Sequence, residues 1–323
     1  MMWKDEYREL LFPLKSTDVK LGRAMELKYQ NIPSSLFKYR NVSSYSKDNL
    51  INDTVRLTKA TEFNDPYDCA LQVNQEKAMY EGLKESAFEK VSEIFNKHGM
   101  NYEVNNEEKQ SLLGQSYKEV LTFIFSKMPK LNGDSEKIEK FVTQILDNLS
   151  AQHEEYSKSV IGQFQEGTFI SCFSEDVNSI LMWSHYAYNH KGFCIEYDFT
   201  KLEVNDPLTQ CLYPVNYTNE LFDIADYVIQ GENVNKLFST YSAITKAKEW
   251  IYEKEWRLVF TLGQKVESFN QKMVKPTAIY LGAKISEEDR ESVINIARSK
   301  RLRVFQMKMS INAFKLVYDE VTI

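Results

Sequence analysis

Glu253 and Glu255 stand two apart in the run WIYEKEWR, residues 250–257, with Arg257 two positions further on. In an extended segment alternation puts all three on one face, where they read either as an exposed ion-pair ladder or as a buried acid pair with a guanidinium. Burial would demand complete pairing, because isolated charges in a low dielectric are too costly to keep. A second group, Trp183, Ser184 and His185, lies in LMWSHYAYNH, residues 181–190. On a helix Leu181, Ser184, His185 and Tyr188 share a face, so a hydroxyl, an imidazole and a phenol sit side by side. The same pattern suits a core histidine with satisfied nitrogens. The third group is EFNDPYD, residues 62–68, which carries Asn64, Asp65, Tyr67 and Asp68. Asn-Asp-Pro favours a structural turn, whereas carboxylates and an amide at a strand end suit a polar ligand. The fourth is LFKYR, residues 36–40, where alternation puts Lys38 and Arg40 on one face and Phe37 and Tyr39 on the other. A strand with one wet face explains it; the functional version is an arginine that grips phosphate bidentately. His185 and His190 are out of phase for a helical metal pair and have no Cys or Glu at zinc spacing, so no metal is expected.

These groups need elements to hold them. Residues 34–40 and 53–60 are short β-prone runs, 167–175 and 192–199 are further strands around the 178–190 helix, and 255–262 is a late strand. CLYPVNYT, residues 211–218, is strand-like and 220–249 mostly helical. The end predicts strand, capped helix and strand, with Ser286 followed three residues later by Asp289 at the cap. Residues 73–162 shift to Glu, Lys, Gln and Leu with apolar spacing of three and four, as in Phe88, Val91, Ile94, Phe95 and Phe141, Ile145, Leu149. Breaks at His98-Gly99, Met128-Pro129 and Asn132-Gly133 divide that lobe into three helices. The expected fold is α+β: a mixed, mostly antiparallel central sheet with flanking helices. Residues 1–33 form an N-terminal helical arm, 34–72 and 163–323 the core, and 73–162 an inserted all-helical lobe.

With 43% hydrophobic and 27% charged residues the chain of 323 can bury a core, which excludes global disorder. A net charge of -6 argues against non-specific duplex binding, although a local basic groove for nucleic acid stays open. Cys69, Cys172, Cys194 and Cys211 are widely spaced, as in a reducing compartment. No secretory leader or spanning run is visible, so a cytoplasmic protein without membrane contact is expected.

The segments LFKYR, LTKATEFNDPYD, SCFSE, MWSHYAYNHKGFCIEYD, YEKEWRLV and AIYLGAKIS, in this order, resemble the bacterial domain of unknown function 2971 family. That resemblance implies a bacterial protein, with a place among phage-defence or other conflict genes, and assigns no reaction. The order Arg40, Thr58 or Thr61, then Glu253-x-Glu255 is also similar to ADP-ribosyltransferases of the arginine-serine-glutamate type. This second likeness implies NAD as substrate.

Three functional expectations follow. The first is cleavage of the nicotinamide glycosidic bond of NAD, or ADP-ribosyl transfer from it. In it Glu255 and Glu253 serve an oxocarbenium-like transition state, Arg40 takes the pyrophosphate and His185 a ribose hydroxyl. Tyr39, Tyr67 or Trp183 stacks on the nicotinamide, and Thr58, Asn64, Asp65, Ser184 and Arg257 complete the binding set. The second is a nuclease, with His185 as base and Arg257 and Lys191 on phosphate, or with a metal on Asp65, Asp68 and Glu196. The third is a module that binds a nucleotide, or a protein partner through the helical lobe, without turnover.

Overall fold

The computed structural model describes residues 3–74, 77, 96, 105–112, 115–128, 131, 133–229 and 233–322. Helices α1 (Trp3–Leu11) and α2 (Leu21–Gln30) pack on each other and bury Tyr7, Leu11 and Ala24, while Trp3 stacks on Trp256 at 6.1 Å. The leading segment therefore contributes to the core. Lys28 ties α2 down, its buried ammonium donating to the Thr209 and Gln210 carbonyls at 2.8 and 3.0 Å.

Strand β1 (Leu36–Arg40) is followed by α3 (Ser44–Asn52), whose start is closed by a reciprocal cap between Ser43 and Ser46. Next come β2 (Thr54–Lys59) and the two-residue β3 (Leu71–Gln72). The lobe's described helices are α4 (Asn106–Leu112), α5 (Tyr117–Ser126) and α6 (Ser135–Gly167), and Phe125 stacks on Phe141 between the last two. The apolar spacing at Phe88, Val91, Ile94 and Phe95 and the break at His98-Gly99 lie outside the described residues. So do Pro129 and Asn132, at the other two breaks. Helix α6 runs past residue 162 straight into the sheet. There Glu166 bonds Lys59 at 3.1 Å and Thr61 at 3.2 Å.

The rest of the chain supplies β4 (Thr168–Ser174), α7 (Ile180–Tyr186), β5 (Phe193–Tyr197), α8 (Pro207–Cys211), β6 (Leu212–Pro214), β7 (Asn216–Thr218) and β8 (Phe222–Asp223). Then follow α9 (Ala225–Ile229), α10 (Phe238–Ala243), β9 (Thr245–Ala247), β10 (Glu255–Thr261) and β11 (Phe269–Lys272). The end is β12 (Ala278–Leu281), α11 (Glu287–Lys300), β13 (Arg303–Met309) and β14 (Leu316–Val321). Ser286 caps α11 by accepting from the Asp289 amide at 3.2 Å. Strands β11 and β14 fall in stretches without alternation strong enough to mark them, and β9 interrupts what composition reads as helix.

The fold is α+β. Among the described residues a ten-stranded sheet runs β11-β2-β4-β1-β5-β12-β13-β14, with β10 beside β4 and β6 beside β10. Every pair in it is antiparallel except β12 with β13, which a helix connects. The sheet forks at β4. On one edge β10 pairs along its whole length, from Glu255 opposite Ser174 to Thr261 opposite Thr168. The other edge is shared, since β1 meets β4 only at Phe37 opposite Ser174, and β2 only at Thr58 and Lys59 opposite Ile170 and Phe169. Between those two contacts β4 lacks a ladder partner on this second edge. No described helix is long and apolar enough to cross a membrane.

Candidate functional site

The fork opens a cleft of about 450 Å³. β1 contributes Lys38 and Arg40, β4 contributes Cys172 to Ser174, and α7 contributes His185 and Tyr186. Asn64 and Asp68 enter from the turn after β2, Lys246 from β9, and Glu253 and Glu255 from the approach to β10.

Lys38 fills the gap in the ladder. Its ammonium donates to Ser171 Oγ and to the Cys172 carbonyl, both at 2.9 Å, supplying the bond that a neighbouring strand would have made. An ammonium has three N–H donors and two are used here, so one can meet a ligand. Burial, with Arg40 nearby, pulls its pKa down to about 8. Arg40, two residues on, donates to Asn49 Oδ1 at 2.8 Å, and burial lowers its pKa too. Among the described residues neither cation has a carboxylate within salt-bridge reach.

Beside these cations the cleft holds an acidic, densely bonded group. Arg257, wholly buried, grips Asp68 through two bonds of 2.7 and 2.9 Å and Glu255 through two of 2.9 and 3.1 Å. Its third direction goes to the Ala243 carbonyl at 2.7 Å. Lys246 reaches Glu253 at 2.6 Å, Glu255 at 3.0 Å and Asp68 at 3.6 Å. Tyr186 donates to the other oxygen of Glu253 at 2.7 Å. The exposed ladder is thus ruled out: Glu253 and Glu255 are 2% and 3% exposed. Glu253 is also not in an extended run. It ends a 3-10 turn over Lys248–Glu253, and Lys254 at φ 46° swings the chain so that both acids face Lys246.

The two acids are driven apart. Burial would raise Glu255, but Arg257 and Lys246 outweigh it and hold the carboxyl well below the usual range. For Glu253, burial and the Glu255 charge win over Lys246, so its pKa is raised. Burial likewise opposes the charge on Lys246, yet Glu255 and the other carboxylates keep its pKa raised. Carboxyls whose pKa values are pushed apart in one site are suited to separate acid-base and electrostatic roles.

Of the residues that sequence singled out, Tyr39, Arg40, Asn64, Asp68, His185, Glu253 and Glu255 line this cleft. Trp183 does not. It is fully buried, packs edge-on against Tyr39 at 5.2 Å and donates to the Val177 carbonyl at 2.7 Å, so it cannot stack on a ligand. Ser184 turns away, bonding the Ile180 carbonyl and His190 Nε2. Thr58 is a ladder residue opposite Ile170, outside the cleft. Asp65 makes the turn by accepting from the Tyr67 amide at 2.9 Å, and Tyr67 lines a separate hollow. Arg257 lies beneath the floor, leaving no donor for phosphate. The metal set also disperses: Asp68 is held by Arg257, while Glu196 on β5 bonds Ser35 and Tyr280. Among the described residues no three His, Cys, Asp or Glu side chains could share an ion.

Helix α7 ends at Tyr186, earlier than the apolar spacing suggests. Tyr188, Asn189 and His190 then follow at φ 48°, 54° and 67°. Three consecutive left-handed residues cost strain, and they carry Tyr188 to the cleft instead of along the helix face. Lys38 and Tyr186 fell within runs that sequence singled out but were given no role there, and Lys246 was passed over. Lys246 sits in the helical-looking stretch 220–249, and only an unusually placed cation near EKE could have flagged it.

Residues 182–258 match the family model described as Protein of unknown function (DUF2971). The matched span runs from α7 to the middle of β10 and so contains His185, Tyr186, Lys246, Glu253, Glu255 and Arg257. The matched segment therefore supplies most of the acidic cluster, while Asp68, Lys38 and Arg40 come from outside it. No curated protein and no solved structure matches the chain.

Proposed function

We propose that the cleft binds NAD and breaks its nicotinamide glycosidic bond, passing ADP-ribose to water or to an acceptor. The observation that carries this reading is the cleft's polarity. Two cations without carboxylate partners, Lys38 and Arg40, line it together with a buried acidic cluster. NAD has the matching layout, with two phosphate charges in its middle and a cationic ring at the reacting end.

In this reading Arg40 and the spare N–H of Lys38 take the pyrophosphate. His185 and Tyr188, both exposed on the cleft wall, offer flat faces to the ring. As the C1′–N bond breaks, its electron pair goes to the nicotinamide nitrogen and positive charge gathers on the ribose. Glu255, held ionised by Arg257 and Lys246, supplies a fixed negative charge for that state. Water adds to C1′, and its proton passes to Glu253, whose raised pKa suits it to accept one. The free state of all four cysteines is consistent with a cytoplasmic setting, which we include in the proposal. In a bacterial conflict role the cellular readout is loss of NAD on expression.

The test is release of nicotinamide from NAD by the purified protein. Glu253→Gln should lower turnover by about 10²–10⁴-fold while NAD binding survives. If neither NAD nor ADP-ribose raises the melting temperature and no nicotinamide appears, the reading falls. Binding without turnover in the native protein would instead indicate a recognition module.

A further inference from the structure

Lys28, Lys38 and Lys246 all hold their ammonium groups inside the protein, and they differ in what surrounds them. Lys246 meets carboxylates, Glu253 at 2.6 Å, Glu255 at 3.0 Å and Asp68 at 3.6 Å, and these keep its pKa raised. Lys28 meets only the Thr209 and Gln210 carbonyls, and burial lowers its pKa to about 7. It is 0% exposed, however, and is not among the residues that line the cleft. Lys38 combines what the other two have separately. It lines the cleft, and its two acceptors, Ser171 Oγ and the Cys172 carbonyl at 2.9 Å each, are neutral. The ionisable groups nearest to it are Arg40 on β1, Cys172 on β4, Cys194 on β5 and Glu255 on β10, while Lys246, Glu253, Asp68 and His185 stand around the rest of the cleft. Burial keeps both thiols neutral by raising their pKa values. Burial of Lys38, with the Arg40 charge, outweighs Glu255 and draws the lysine down to about 8.

The bonding fixes what a neutral Lys38 presents. Nζ is tetrahedral, with Cε at one vertex and N–H groups directed to Ser171 and Cys172 at two others. The fourth vertex has no hydrogen-bond acceptor among the described residues, and the Phe173 ring, itself on the cleft wall, stands off at 5.3 Å. When the proton there is lost, the lone pair takes that vertex while both bonds to β4 persist. Arg40 follows on the same face of the strand, two residue rises or roughly 6.6 Å further along. Among the described residues its five N–H donors have one side-chain acceptor, Asn49 Oδ1. We propose that Lys38 is a carbonyl-reacting lysine whose amine condenses with small aldehydes that carry a phosphate group, with Arg40 holding the phosphate. The C=N bond forms between Nζ and the aldehyde carbon, and the carbonyl oxygen leaves as water with the two amine protons, so no oxidant or reductant is consumed. This activity goes beyond the NAD reading and does not rest on it. With a pKa of about 8 most Lys38 is protonated at neutral pH and can meet a pyrophosphate, while the neutral remainder is the nucleophile.

The probes are pyridoxal phosphate and unphosphorylated pyridoxal, each incubated with the native protein near neutral pH. Borohydride then fixes the imine by delivering hydride to its carbon, and peptide mass spectrometry locates the label. With the phosphorylated probe Lys38 should carry at least about tenfold more label than any solvated lysine, because a lysine with a pKa near 10.4 has far less free amine. Pyridoxal should label Lys38 about tenfold less than its phosphate does, and Arg40→Gln should bring that ratio toward one. Should the variant not fold, the two probes on the native protein decide alone. Lys28 is the internal control and should stay unlabelled until urea unfolds the chain. Label spread over the solvated lysines without excess at Lys38 overturns the proposal. So does equal labelling of Lys38 by the two probes, since Arg40 then holds no phosphate, and so does labelling of Lys28 as extensive as that of Lys38, which would report on opened chains. Nicotinamide release is read separately, so the two proposals stand or fall independently.

Discussion

Arg257 shows how much of this site depends on single side chains. Its five N–H donors are divided between Asp68, Glu255 and the Ala243 carbonyl, and it is wholly out of water. Arg257→Met keeps the volume but leaves two carboxylates buried with only Lys246 between them. Urea unfolding should show a loss of about 3–5 kcal/mol. The pH dependence of stability should carry the mark of the two glutamates with opposite signs. Glu255 has its pKa lowered from 4.5, so its contribution is present above that value and is lost as pH falls. Glu253 has its pKa raised from 4.5, so its contribution is present below that value and is lost as pH rises through the folded-state pKa. Urea midpoints measured from pH 4.5 upward should decline on the alkaline side in the native protein, and Glu253→Gln should flatten that decline.

At the scale of elements, α3 aims Arg40, the residue proposed to take the phosphates. Asn49, nearly fully buried on α3, accepts from Arg40 at 2.8 Å and donates to Thr54 Oγ1 at 2.9 Å, tying β1 and β2 to one helix. Asn49→Asp keeps the shape and gives Arg40 a carboxylate. That new partner competes with a ligand phosphate, so affinity for ADP-ribose should fall by about tenfold while the melting temperature changes little. A rise in affinity would mean that Arg40 does not face the phosphates. Helix α7 has a comparable task on the opposite wall. Ser179 caps it by accepting from the Met182 amide at 3.3 Å, Trp183 anchors its inner side, and His185 and Tyr186 are left facing the hollow.

Across the whole molecule, the cleft exists because three distant segments approach at backbone distance. A Cβ at Gly192 would lie 2.0 Å from the Arg40 carbonyl oxygen, and one at Gly282 would lie 2.2 Å from that of His190. These contacts clamp the left-handed turn after α7 between β1 and the end of β12. Gly192→Ala must push β1 or the turn aside, with a stability loss of about 1–3 kcal/mol in urea unfolding and weaker ADP-ribose binding through the displaced Arg40. Unchanged stability would show that the turn moves freely.

Periodicity and composition were enough for the α+β class, for β1, β2, β4, β5 and β10, and for the capped helix α11, because alternation and caps are local properties of the chain. The EKE run and Arg40 could also be read as chemistry from residue type alone. What only the tertiary structure decided was exposure and partnership. The same Glu253, Glu255 and Arg257 would be a solvated ladder on an outer strand. They are a buried network because β10 lies between β4 and β6 with Lys246 and Asp68 delivered from elsewhere. Likewise Lys38 looks like an ordinary wet-face lysine until the fork at β4 takes away a ladder partner and the ammonium fills its place. Lys38 meets Ser171 and Arg257 meets Asp68 across more than a hundred residues, and no local pattern encodes those contacts.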